Sequence, residues 1–227
     1  MDKKEAVLCA VIAHSTYVGT CNDKGFCMTA RFENKGTDTQ GVFGTAFDKS
    51  FVVAFRGSEE TGIADWITDL KFVQQVFPYD TSKNKEVKVH YGFIEAYKSV
   101  REAVLNEVKK TPLKRIICTG HSLGGALATL CALDVKYNLP DKEIACYTFG
   151  SPKVGNAAFV ASYQKRVPNT FRFVNGIDRV PTLPPGDYQH VGELHQLGEV
   201  TLSLTDLLAV AQCHFPVNYI NMLRALK

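Results

Sequence analysis

The residues with the clearest chemical meaning are Gly120-His121-Ser122-Leu123-Gly124, followed by Gly125. They fit G-x-S-x-G and lie between an apolar run, Arg115 to Thr119 (RIICT), and the small residues Gly124 to Ala128 (GGALA). Strand, sharp turn and helix is the setting in which this pattern presents a nucleophilic serine. The serine must stand clear of the sheet, so the backbone takes a strained turn. Glycines two residues to either side let neighbouring elements approach without a Cβ between them. The helix that starts there turns its N-terminal amides and its dipole toward negative charge developing at the serine.

A serine hydroxyl is a poor nucleophile until a base takes its proton and a third group orients that base. In this architecture the chain order is serine, then acid, then histidine. Asp178 follows the strand-like run Thr170 to Val174 (TFRFV), just past a strand's C-terminal end, where catalytic residues of open α/β sheets gather. Its alternative is a salt bridge with Arg179. Among its rivals, Asp134 lies on the helix after the elbow and points away, while Asp141, Asp187 and Asp206 read as exposed. His190, His195 and His214 follow both residues, and His214 is the expected base. His190 reads as a hydrogen-bonded structural histidine. A metal reading of His190-x4-His195 lacks a third ligand at sensible spacing, so no metal is expected.

The elements around these residues alternate short apolar strands with helix-length segments, which predicts a mostly parallel sheet covered by helices. Val42 to Phe47 and Phe51 to Phe55 read as neighbouring strands. His90 to Lys110 reads as a long helix whose apolar stripe is Phe93, Tyr97, Val100, Val104 and Val108. Further helices are expected over Leu123 to Tyr137, Gly155 to Arg166 and Pro216 to Leu226, and strands over Ile144 to Phe149 and Thr170 to Val174. Pro181, Pro184, Pro185 and Gly186 mark an irregular loop.

The 227 residues suit a single domain spanning 1–227 with a substantial core. At 45% hydrophobic and 22% charged, the composition excludes disorder, collagen and coiled coil as descriptions of the whole chain. The net charge of +3 with scattered basic residues predicts no nucleic-acid partner. No apolar run approaches a transmembrane length. Ala6 to Ala13 (AVLCAVIA) follows Lys3 and Lys4, but Asp2 and Glu5 offset that charge. This reads as an amphipathic first helix rather than a signal peptide, and leaves the compartment open. Of the 7 cysteines, Cys9, Cys118, Cys131 and Cys146 read as small buried hydrophobes, whereas Cys21 and Cys27 could close a local disulfide if secreted.

With these residues placed, the sequence resembles the class 3 lipase family, the filamentous-fungal type of α/β-hydrolase, over roughly residues 5 to 225. The likeness rests on motifs in order: Val53-Ala54-Phe55-Arg56-Gly57-Ser58, Trp66-Ile67-Thr68-Asp69-Leu70, Val89-His90-Tyr91-Gly92-Phe93, Gly120 to Gly125, Gly150-Ser151-Pro152-Lys153-Val154-Gly155-Asn156, and Asp178-Arg179-Val180-Pro181. The resemblance implies Ser122 as nucleophile, Asp178 as acid and His214 as base. It implies an oxyanion hole from Ser58 and the backbone N–H of Leu123, with Asp69 orienting the serine. Glu59 to Trp66 matches the lid, with Ile63 and Trp66 as its apolar contacts, and its polar, glycine-containing sequence predicts weak interfacial activation. Cys213 stands where members often have an aspartate before the histidine, and the His214-to-Tyr219 spacing is one residue longer than common.

The expected activity is cofactor-free hydrolysis of acylglycerol esters, with transient contact with a lipid surface. The alternatives are a soluble esterase of feruloyl or short-chain type, or a phospholipase A1. A catalytically silent binding module is disfavoured, because such a protein has no chemical reason to keep serine, aspartate and histidine together.

Overall fold

The computed structural model describes residues 1–21, 23–47, 49–58, 73–77, 85–199 and 212–226. The chain opens with helix α1 (Lys3–Val18), capped by Asp2, whose side chain accepts a hydrogen bond from the Lys4 N–H. Strands β1 (Phe26–Asn34), β2 (Thr39–Ala46) and β3 (Ser50–Phe55) follow as an antiparallel meander. Short strands β4 (Gln74–Val76) and β5 (Lys88–His90) form a separate antiparallel ribbon that leads into α2 (Tyr91–Lys110). Next come β6 (Arg115–His121), α3 (Leu123–Asn138), β7 (Glu143–Phe149), α4 (Ala157–Arg166), β8 (Thr170–Asn175), β9 (Glu193–Leu197) and α5 (Pro216–Ala225).

The main sheet has the order β1-β2-β3-β6-β7-β8-β9, and every pairing from β3 to β9 is parallel. All six residues of β3 are buried, because both faces of the central sheet are covered. Phe51, Val53 and Phe55 face the core built with α2, α3 and α4, while Val52 and Ala54 face the core built with α1 and α5. The expected stripe on α2 (Phe93, Tyr97, Val100, Val104 and Val108) is buried, joined by Ile94 and Leu105.

The structure departs from the sequence reading in its edge strands and in its first helix. Strands β1, β4, β5 and β9 were not anticipated. β1 exposes much of its length and has polar residues between its apolar ones, so it is held by pairing to β2 more than by its own pattern. β9 lies just after the Pro-rich loop and completes the parallel edge beside β8. Helix α1 extends beyond the apolar run, and its burial spreads widely around the helix instead of forming one stripe. It is wedged between the sheet and α5, and Glu5 pairs with the Arg115 guanidinium at 2.5 and 2.7 Å.

All seven cysteines are free thiols: Cys9, Cys118, Cys131 and Cys146 are buried as expected, and Cys21 and Cys27 are not joined. No described helix is long and apolar enough to cross a membrane.

Helix α3 begins within van der Waals contact of two strands. A Cβ on Gly120 would fall 2.2 Å from the Gly124 carbonyl oxygen, and one on Gly124 would fall 2.3 Å from that of Phe55. Neither obstacle is a flexible side chain, so the backbone itself would have to move. Gly124→Ala is expected to lower stability by about 1–3 kcal/mol, read as a lower urea midpoint.

Candidate active site

Ser122 sits at the junction of β6 and α3 with φ 56° and ψ −129°, a conformation that non-glycine residues rarely adopt. The turn is held on both sides. The Ser122 N–H donates to the Phe149 carbonyl at 2.9 Å, and the Gly125 N–H donates to the Ser122 carbonyl at 2.9 Å. The side chain therefore projects from the C-terminal end of the parallel strands, and Ser122 is 0% exposed. The sequence signal for this strained turn was complete: both flanking glycines occupy positions where only hydrogen fits.

Asp178 and His214 come together as expected. His214 Nδ1 lies 2.8 Å from Asp178 Oδ2, and both residues are buried. The other Asp178 oxygen accepts the Val180 N–H at 2.9 Å. Tyr219 on α5 also donates its hydroxyl to Asp178 Oδ2, at 2.5 Å, and accepts the Asn175 N–H at 3.2 Å. Burial first, and then the Asp178 charge, push the Tyr219 hydroxyl well above its ordinary range, so it keeps its proton and acts as donor. Gly150, at φ +58°, lets the loop after β7 pass close by, since a Cβ there would fall 2.9 Å from Asp178 Oδ2 and 3.0 Å from His214 Nδ1. Ser122 Oγ and His214 Nε2 are each buried with no hydrogen-bond partner among the described residues, so neither is tied up by a structural bond. Contacts of this kind are often long before substrate arrives.

Ser58 follows β3, whose Phe55 pairs with Gly120 of β6. The intervening Gly57 packs against the elbow: a Cβ on it would fall 3.1 Å from Ser122 Cβ and 2.6 Å from the His121 carbonyl oxygen. This brings the Ser58 segment beside Ser122. Leu123 opens α3, so its N–H is one of the first-turn donors that the helix itself cannot satisfy. Asp69, Ile63 and Trp66, with the rest of the Glu59 to Trp66 segment, lie outside the described residues.

The rivals go elsewhere. Asp134 is buried in a pair with Arg101 Nε at 2.9 Å and accepts the Tyr97 hydroxyl at 2.7 Å, which clamps α2 to α3. Asp141 and Asp187 are exposed, and Asp206 lies outside the described residues. His190 Nε2 donates to the Pro181 carbonyl at 2.6 Å, the structural histidine expected. His195 Nε2 lies 3.3 Å from Glu193 Oε1 on β9, away from the Asp178–His214 pair. Among the described residues, no group of three or more His, Cys, Asp or Glu side chains could hold a metal ion. The sequence reading missed Tyr17 and Asn175 as neighbours of the site, and it gave His121 and Tyr219 no hydrogen-bonding role there. Asn175, at the end of β8, donates to the Cys213 carbonyl at 2.9 Å and so fixes the residue before His214. Only the Tyr following His214 at short spacing carried a signal.

A parallel sheet with helices on both faces, a strained serine between strand and helix, and a buried aspartate–histidine pair define an α/β-hydrolase with a serine-hydrolase arrangement. The class 3 lipase family profile matches residues 52–188, more than half of the chain, so the protein belongs to that family. A lipase of Rhizomucor miehei is 39% identical over 156 residues, covering 64% of this chain and 41% of that protein. A secreted mono- and diacylglycerol lipase A of Penicillium cyclopium is 33% identical over 185 residues, covering 77% and 58%. The chain thus spans about half the length of the curated relatives it matches. A solved triacylglycerol lipase, described as having a serine protease triad at its catalytic centre, superposes with a TM-score of 0.73 at 30% identity, covering 86% of this chain and 78% of that one.

Tyr219→Phe removes one donor from a buried carboxylate and is expected to cost about 1.5–3 kcal/mol of stability at neutral pH, read by urea unfolding. A pH effect follows from the buried histidines. Burial, reinforced by Arg172, lowers His190 from 6.5 to about 4. Burial, reinforced by His214, also holds His121 well below its ordinary value. Below pH 6.5 the unfolded chain takes up protons that the folded chain refuses. Their contribution is therefore present above pH 6.5 and is lost as pH falls toward 4. Urea midpoints should drop over that window, and His190→Gln should flatten part of the slope.

Proposed function

We propose that the protein hydrolyses carboxylic esters of acylglycerols through an acyl-enzyme on Ser122. The observation that carries this reading is the buried hydrogen bond from His214 to Asp178, brought beside the strained Ser122 turn in a chain of the class 3 lipase family. His214 Nε2 takes the proton from Ser122 Oγ as the oxygen attacks the ester carbonyl. Asp178 stabilises the imidazolium that forms and keeps Nδ1 protonated. The Leu123 N–H and the Ser58 backbone N–H and hydroxyl receive the oxyanion. Each such donor is worth about 10²–10³ in turnover. His214 then passes its proton to the departing glyceride oxygen. In the second half, His214 takes a proton from water, hydroxide attacks the acyl-enzyme, and the fatty acid leaves as Ser122 regains its proton.

The relatives support this substrate class, one being a lipase and another a mono- and diacylglycerol lipase. Ser122 is 0% exposed, so an ester reaches it only after the surface above it opens. We assign that opening to the Glu59 to Trp66 segment, with Ile63 and Trp66 contacting substrate and Asp69 orienting Ser58. With its acidic sequence, a modest gain on a lipid surface is expected.

The test is the initial rate on tributyrin across its solubility limit, with Ser122→Ala as the blank. The expected result is saturable hydrolysis that Ser122→Ala lowers by about 10⁶-fold, with little jump at the limit. Retention of wild-type rates by Ser122→Ala would remove the nucleophile assignment. A sharp jump at the limit would show that the lid gates strongly.

A further inference from the structure

His121 stands inside the elbow, yet the reaction above gives its side chain nothing to do. The ring is 1% exposed and lies 4.5 Å, centroid to centroid, from the His214 ring. Its Nε2 is 2.6 Å from the main-chain carbonyl oxygen of His214, and its Nδ1 is 2.9 Å from the Tyr17 hydroxyl. A carbonyl oxygen only accepts, so Nε2 carries the hydrogen. Burial keeps the ring neutral, as does the neighbouring His214. Nδ1 is then bare, and the Tyr17 hydroxyl donates to it. The opposite tautomer would set a lone pair against the His214 carbonyl at 2.6 Å.

The same hydroxyl touches a third segment. A Cβ on Gly57 would fall 2.2 Å from Tyr17 Oη, so the hydroxyl rests on the backbone immediately before Ser58. The Arg56 guanidinium sits 5.7 Å from the Tyr17 ring centre. One hydroxyl at the end of α1 therefore meets the oxyanion segment and the elbow, and through His121 it reaches the chain that carries the base.

Building on the ester-hydrolase reading, we propose that Tyr17 and His121 are positioning residues for this reaction. Tyr17 fixes the tautomer of His121, and the His121 Nε2–H holds the main chain of His214 in register with Ser122. Each acts through another group: Tyr17 through His121 and the Gly57 backbone, and His121 through the main chain of His214. The distances at stake are small, but a misplacement of about 1 Å can cost about 10²-fold in rate.

Four variants separate this from a purely structural role. Tyr17→Phe removes only the hydroxyl. His121→Asn keeps an acceptor near the Nδ1 position and loses the donor at Nε2. His121→Gln restores a donor near Nε2, and His121→Leu removes both. On soluble p-nitrophenyl butyrate, Tyr17→Phe should lower kcat roughly tenfold and His121→Asn about 10²-fold, with KM within about twofold. His121→Gln should exceed His121→Asn by at least about tenfold, and His121→Leu should be no better than Asn. The rate at which a fluorophosphonate labels Ser122 should fall in step with kcat, since that reaction also needs the base. In the wild-type protein, two-bond ¹H–¹⁵N correlations should show His121 protonated at Nε2 alone.

Wild-type kcat in both Tyr17→Phe and His121→Asn would overturn the proposal. So would an Nδ1–H tautomer, or variants that lose only unfolding midpoint while turnover per labelled serine stays unchanged. A wild-type protein that neither cleaves the ester nor takes the probe would instead bring down the hydrolase reading, and this inference with it.

Discussion

The strained backbone at Ser122 is the constraint on which the rest of the structure depends. A φ of 56° on a residue with a Cβ is costly, and it persists only because the surroundings leave no alternative. Ser122 is bonded through its N–H to the end of β7 and through its carbonyl to the first turn of α3. Gly120 and Gly124 remove the side chains that would block that closure. The parallel register from β3 to β7 then sets the three strand ends side by side, which is where the proposed oxyanion segment, Ser122 and the Gly150 loop emerge. The fold supplies the strain and the geometry together.

The proposed acid and base are held by a different means. Asp178 receives three donors from three parts of the chain: the Val180 backbone, the Tyr219 hydroxyl on α5 and His214 Nδ1. A buried carboxylate is tolerable only with such partners. Orientation follows from the same bonds, because an aspartate tied on both oxygens cannot rotate away from the imidazole. Asn175 extends the arrangement by fixing the Cys213 carbonyl. His214 is anchored through the main chain as well, from Asn175 to Cys213 and from His121 to His214.

What was legible in the sequence was what short-range pattern encodes. The elbow could be read because its glycines answer to steric demands within a few residues, and α2 could be read because its apolar stripe has the helical period. The order of Ser122, Asp178 and His214 narrowed the acid and base to a few candidates, which the structure then joined. Strand β1 was illegible because its stability comes from pairing with β2, and no local period records that. Tyr17, His121 and Tyr219 were illegible as a group because their hydrogen bonds span 104, 93 and 41 residues. A residue's own neighbours in sequence say nothing about a partner that far along the chain.

That distance carries its own consequence. A site assembled from contacts so far apart in the chain forms only once the whole sheet is in register, because each long loop must close before its contact can form. Helix α1 cannot be a detachable preface: Glu5 anchors its start to Arg115 at the beginning of β6, and Tyr17 anchors its end to His121 at the end of the same strand. The helix therefore spans the strand that delivers Ser122 and is fixed at both ends of it. A shift of α1 along the sheet would have to break a half-buried ion pair and move a hydroxyl lodged against Gly57 at once. The first helix is in this sense part of the site's frame.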